Sequence, residues 1–172
     1  MRYLVILFFL VWLGSCNNST ETKDVVEYPN RIGDITVDPD LDDPDFTVCD
    51  EDRILQHYAP YLSGLSMLYE GDKPAIVAVI NSHYPSVSTS VNGYITTRFV
   101  VNCNGETDRF RTEQMSLDYK KKSFDQKLLK SINDAIRSLD KWKSIEVEGK
   151  RYDYYVYLSI HIEGGKIVNI RP

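Results

Sequence analysis

Hydrophobic positions change character along the chain. Met1–Ser15 carries an unbroken apolar run from Leu4 to Leu13 behind a single cation, Arg2. That run is shorter than the roughly 20 residues a helix needs to cross a bilayer, and residues 1–15 have the layout of a secretory signal peptide. From Cys16 to Asp50 large apolar residues are sparse and without period, and Pro29, Pro39 and Pro44 interrupt the chain. This predicts a flexible, extended tether over 16–50. Ile54, Leu55, Tyr58, Tyr61, Leu62, Leu65 and Leu68 then recur every three or four residues. They predict a helical stripe, with Asp50 as its N-cap and a kink or break at Pro60. Asp72–Pro85 is rich enough in β-branched residues to suit a strand. A helix is favoured there, because Pro74 fits a first turn and Ala75, Ile76, Val79 and Ile80 share one face.

Period-two patterning takes over next. Gly93–Asn102 places Ile95, Thr97, Phe99 and Val101 on one side of a strand. Asn104-Gly105 predicts a hairpin turn, and the polar return strand Glu106–Glu113 predicts an edge or a half-exposed strand. Lys120-Lys121-Lys122 reads as a solvated loop. Ser123-Phe-Asp-Gln126 matches a capping box before a helix that buries Phe124, Leu128, Ile132, Ala135, Ile136 and Leu139, with Trp142 just beyond. Arg151–Glu163 alternates. Tyr152, Tyr154, Val156, Leu158, Ile160 and Ile162 face one way, and Arg151, Asp153, Tyr155, Tyr157, Ser159 and His161 face the other. Gly164-Gly165 turns the chain into a last strand near Ile167–Ile170. The order predicts an α+β fold, a small antiparallel sheet with helices packed on one face. The folded domain is assigned to 51–172, with a helical part at 51–84 and a strand–hairpin–helix–strand core at 93–170.

Charge sharpens the division. The net charge of −5 over 172 residues excludes a basic nucleic-acid surface for the chain as a whole. The sum is uneven: the tether carries −8, from ten acids against two bases, and the domain +2. Asp38–Asp45 has alternating carboxylates, but an EF-hand loop needs Gly sixth and Glu twelfth; counting from Asp38, Asp43 and Cys49 stand there. A solvated acidic spacer is the better reading. His57, His83 and His161 fall on separate elements without metal-ligand spacing, and no serine sits in a nucleophile elbow. No catalytic residue, metal or cofactor is expected, and the chain does not read as an enzyme.

Leu13-Gly14-Ser15-Cys16 resembles a bacterial lipobox. The resemblance implies cleavage before Cys16, lipidation of that residue and stable membrane anchoring by two or three acyl chains; the alternative is plain secretion. Asn17 stands where an inner-membrane-retaining aspartate is often found, which favours the outer membrane, with the domain facing periplasm or surface. If Cys16 is lipidated, Cys49 and Cys103 remain as a candidate disulfide pair in an oxidising compartment.

From about Tyr69 to Ile167 the chain also resembles the C-terminal domain of TonB. The residues that carry this are Gly71 with Pro74–His83 and Tyr84-Pro85, then Gly93 with Phe99-Val100-Val101-Asn102 and Asn104-Gly105. Phe124–Leu139 leading to Trp142, and Gly149-Lys150 before the alternating strand, complete the pattern. The usual Pro-Gly after the tryptophan is absent, and a cleavable leader with a short acidic spacer replaces TonB's membrane anchor and Pro-rich arm. The resemblance thus implies the fold and a peptide-binding mode, not energy transduction. It implies that the long strand is a sheet edge that accepts an extended peptide, through Tyr152, Tyr154, Tyr155, Val156, Tyr157, Ser159 and His161. Alternatively these side chains only cover the sheet, and a last strand folded back on the edge closes the site. The expected function is a lipid-anchored cell-envelope protein that binds a peptide or protein partner by strand addition. The alternatives are a structural lipoprotein that dimerises by strand exchange, and a peptidoglycan binder.

Overall fold

A computed structural model describes residues 34–56, 68–85 and 87–171. The leader, Cys16 and most of the helical stripe between His57 and Met67 lie outside the described residues. The Pro74 segment is helical, as α1 (Asp72–His83). The hairpin forms β1 (Gly93–Val101) and β2 (Thr107–Met115) around Asn104-Gly105, where Gly105 takes φ +89°. Next come α2 (Gln126–Arg137), a small hairpin of β3 (Ile145–Val147) and β4 (Lys150–Tyr152), and β5 (Tyr154–Glu163) with β6 (Lys166–Arg171). The main sheet is antiparallel with strand order β2-β1-β5-β6. The class is α+β.

Burial explains the layering. Ile95, Phe99 and Val101 of β1 join Tyr154, Val156, Leu158, Ile160 and Ile162 of β5 in one core. Ile76 and Ile80 of α1 and Leu128, Ile132, Ala135 and Ile136 of α2 pack into the same core. The α2 face is the one its periodicity predicts. Trp142 closes this layer, its ring edge-on to Tyr69 and Phe99 at 4.9 and 5.4 Å.

The sequence misplaces both helix starts. At the first, Glu51–Arg53 makes a single 3-10 turn, Asp50 caps nothing with its side chain, and Ile54 is already extended. Leu55 instead bridges to Tyr154 in parallel, donating to Asp153 O at 2.8 Å and accepting from Tyr155 N at 2.9 Å. A helix beginning at Asp50 would need backbone groups that the sheet has taken. At the second, the N-cap is Asp125, whose carboxylate accepts from Lys127 and Leu128 N–H, rather than Ser123. The Gln114 side chain holds the Phe124 N–H at 2.8 Å, keeping residues 123–124 against β2 until the helix starts at Gln126.

The larger correction concerns the acidic segment. From Asp34 to Asp50 it is not free spacer but lies on the sheet. Ile35 is buried, and its N–H lies 3.5 Å from the Tyr155 hydroxyl. Asp42 makes a bidentate pair with Arg111 at 2.6 and 2.7 Å, and Glu51 pairs with Arg109 through both guanidinium nitrogens. Cys49 is joined to Cys103 by a disulfide, with Cα atoms 6.1 Å apart. Arg111 beside Asp42, and Arg109 beside Glu51, hold these carboxyls below their ordinary values of 3.8 and 4.5. Because docking lowers both values, it is stabilised above that range and weakens as pH falls through it. An NMR titration from about pH 5.5 to about pH 2.5 should move the Ile35 and Leu41 amides together toward free-segment positions, while β1 and β5 amides stay dispersed. Amides of Ile35 and Leu41 that hold still throughout would show that the ion pairs do not hold the segment.

Candidate functional site

The strand singled out for partner binding lies inside the sheet. β5 is paired with β1 along its length, from Tyr154–Val101 to Ile162–Gly93. On its other side β6 covers Ser159–Glu163, and Leu55 takes the backbone beside Tyr154. The peptide-accepting edge expected at Tyr152–Ile162 is therefore corrected: the final hairpin folds back on it. Tyr154, Val156 and the alternate residues after them are core. Tyr152 belongs to the separate β3–β4 hairpin, with Arg53 and Lys150 over its ring at 5.9 and 5.2 Å. Tyr155 lies under the acidic segment, while Tyr157, Ser159 and His161 are half-buried on the sheet face away from the core. There the Ser159 hydroxyl meets that of Thr96 at 3.0 Å. The His161 ring stacks on Tyr94, which stacks on exposed Tyr119, at 4.5 and 5.2 Å. These residues dress the sheet rather than form an edge.

Among the described residues, two strands remain as edges of the main sheet. β6 is six residues long, carries Lys166 and Arg171 at its ends, and is bulged against His161–Ile162. A short, bulged and cationic edge resists pairing with another chain, most of all with a second copy, which would set Lys166 against Arg171. β2 is the other edge, nine residues long, and the sequence anticipated its edge position from its polarity. Backbone direction alternates along it. Tyr155 N–H points away from β1 to Leu55, so even-numbered β5 residues bond β1 and even-numbered β1 residues bond β2. The β2 partners of Thr96 and Arg98 are Glu113 and Arg111. Thr112 and Gln114 therefore direct their N–H and C=O off the sheet. Before them the register shifts by one at a bulge opposite Arg98–Val100, and Phe110 O accepts from Arg111 Nη1 at 3.1 Å. Gln114 O is taken by Lys122 N at 3.0 Å. Among the described residues, nothing bonds the backbone N–H or C=O of Thr112.

Clefts lie at both ends of this strand. One, of about 700 Å³, sits between the start of β2, the acidic segment and the end of α2, and is lined by Asp40, Asp43, Asp45, Glu106, Asp108 and Phe110, among others. Arg137 lies in it, 4.2 Å over the Phe110 ring and 3.8 Å from Asp108. The other, of about 480 Å³, sits between the end of β2 and the loop after it, lined by Glu113, Gln114, Tyr119, Lys121, Lys122 and Ser123, among others. That loop is held by Ser116 N to Lys120 O at 2.9 Å and Tyr119 N to Ser116 O at 3.0 Å.

A second feature escaped the sequence reading. Asp153, placed by alternation on the outer side, is fully buried at the break between β4 and β5. Its carboxylate accepts the N–H groups of Cys49, Asp50 and Cys103 at 2.8–3.0 Å. It thus joins the acidic segment to the hairpin where the disulfide does. Two sulfurs and this carboxylate lie within 4.8 Å of one another, a spacing that invites a metal. The disulfide uses the sulfurs and the N–H groups fill the carboxylate's acceptor sites, so the residues present do not fit one. An acid among the strand's tyrosines was the available signal, but its partners are 50 and 104 positions away. No family model, curated protein or solved structure matches this chain.

Proposed function

We propose that this chain is a non-catalytic binding module of the cell envelope, lipid-anchored through Cys16, that takes an extended peptide or protein segment by strand addition on β2. The carrying observation is the backbone of Thr112, unpaired among the described residues, on an edge that has a cleft at each end. Main-chain hydrogen bonds supply affinity in this mode, and pockets for side chains supply specificity. The lipobox resemblance supports the anchor. The order of helix, hairpin, helix and strand pair supports the likeness to the TonB C-terminal domain, with the edge moved from the last long strand to β2. The blunt β6 edge disfavours the reading as a lipoprotein that dimerises by strand exchange.

Decapeptides selected from a random display library on the soluble domain test the reading. Bound peptide should slow hydrogen exchange at the Thr112 amide and leave the Tyr157 amide unchanged. Thr112→Pro removes the outward N–H without touching the ladder to β1 and should abolish binding. Thr112→Val, which loses the hydroxyl bonds to Thr97 and Asn133 but keeps the N–H, should retain it. Protection at β6 or β5 instead, or equal binding by the proline variant, would sink the β2 site. Full-length Cys16→Ala should move from the detergent phase to the aqueous phase in phase partitioning; an unchanged distribution would remove the anchor.

A further inference from the structure

The clefts beside β2 differ in charge, and from this we infer that the ligand is a bipolar peptide, acidic at one end and basic at the other. The inference rests on the strand-addition reading and adds the ligand's chemistry to it. At the Thr107 end the cleft presents Asp40, Asp43, Asp45, Glu106 and Asp108, with Arg137 as the cation among its lining residues. Asp42, also in that lining, is neutralised by Arg111. The Arg137 guanidinium already lies on the Phe110 ring beside Asp108. It displays how a cation rests there, on an aromatic floor with a carboxylate at its edge.

At the Met115 end the balance reverses. Lys121 and Lys122 face a single acid, Glu113. Glu113 lies 3.5 Å from Arg98, and the Lys122 ammonium donates to Asn92 O at 2.6 Å. Lys121 is exposed and has no ion-pair partner among the described residues. It is the cation available to an incoming carboxylate, held in place because its backbone bridges Met115.

Between the clefts lies Thr112, whose outward backbone groups read no sequence. The charges of the ligand are therefore spaced by the strand itself. The seven steps from Thr107 to Gln114 span about 23 Å, so complementary charges belong some six to eight residues apart on an extended chain. Antiparallel addition, the more stable pairing, puts the acidic end first in the ligand sequence, over Lys121, and the basic end last, in the acidic cleft.

Capped decapeptides with one alternating Thr-Val centre and different ends test this, with affinity read by titration and site by hydrogen exchange at Thr112. The bipolar peptide, Glu-Glu at its start and Lys-Lys at its end, should bind about tenfold more tightly than the all-Glu or the all-Lys version. That advantage should shrink as salt rises. In Lys121→Glu the all-Lys peptide should overtake the bipolar one. Three peptides that protect Thr112 with equal affinity would overturn the bipolar inference and leave strand addition standing. No protection at Thr112 by any of them would overturn strand addition and the inference together.

Discussion

Asp153→Ala is expected to destabilise the domain by roughly 4 kcal/mol. Asp153 is fully buried and accepts from three backbone N–H groups that lie far apart in sequence. Hydrogen bonds to a charged acceptor contribute about 1.5–3 kcal/mol each, and an orphaned buried donor costs about 1–3 kcal/mol. Truncation leaves all three donors without their acceptor, and that of Cys103, on a buried residue tied down by the disulfide, is the one held away from water. Asp153→Asn is the informative companion. It fills the same space, but one oxygen becomes an NH₂ that faces N–H donors, so it should recover only part of the loss. Chemical denaturation of the oxidised protein measures both. A cost under about 1 kcal/mol for the alanine variant would show that the carboxylate is not what joins segment to hairpin.

Asp153 also shows where sequence reading stops. Periodicity finds what repeats: the apolar face of α2, the alternation of β5 and the hairpin around Asn104-Gly105 all form where the pattern puts them. From polarity it reads β2 as an edge or a half-exposed strand, and the edge is what forms. It leaves open whether the last strand folds back on β5; the resemblance to the TonB C-terminal domain implies a ligand edge there, and the fold-back alternative is the one that forms. The acidic segment failed for a related reason. Asp42 reads as solvated spacer, Glu51 as a first-turn acid of a helix capped by Asp50, and Arg109 and Arg111 as an unusually polar strand. Each was a local anomaly, and the two cancel once the pairs form. These partners are 58 and 69 positions apart, beyond any local window. The site inherits this limit, since one of its clefts is walled by the same acidic segment.

Replacing Cys49 and Cys103 together by serine is expected to cost about 4 kcal/mol. The bridge closes a loop over a sequence separation of 54, and cross-linking a loop of that length restricts the unfolded chain by about that amount. For a domain of this size the melting temperature should fall by roughly 10–15 °C. The loss should be uneven. Residues 34–50 reach the sheet through the disulfide, Asp153 and the Asp42–Arg111 pair, so their amides should exchange faster, while those of β1 and β5 stay protected up to the lowered global limit. The acidic cleft, whose wall is this segment, should weaken with it. Coupling to Asp153 separates this account from two independent staples. With the disulfide intact, Asp153→Ala leaves the Cys49 and Asp50 N–H groups held over the site without their acceptor. With the disulfide gone, the segment can lift and those groups can meet water. Asp153→Ala should therefore cost less in the serine background, by about 1 kcal/mol or more. Simple additivity of the two losses in a double-mutant cycle would mean that the segment stays down without its disulfide, held by its other contacts, among them the Arg111 pair, Asp43 N–H to Asp108 and Asn102 to Thr47 O.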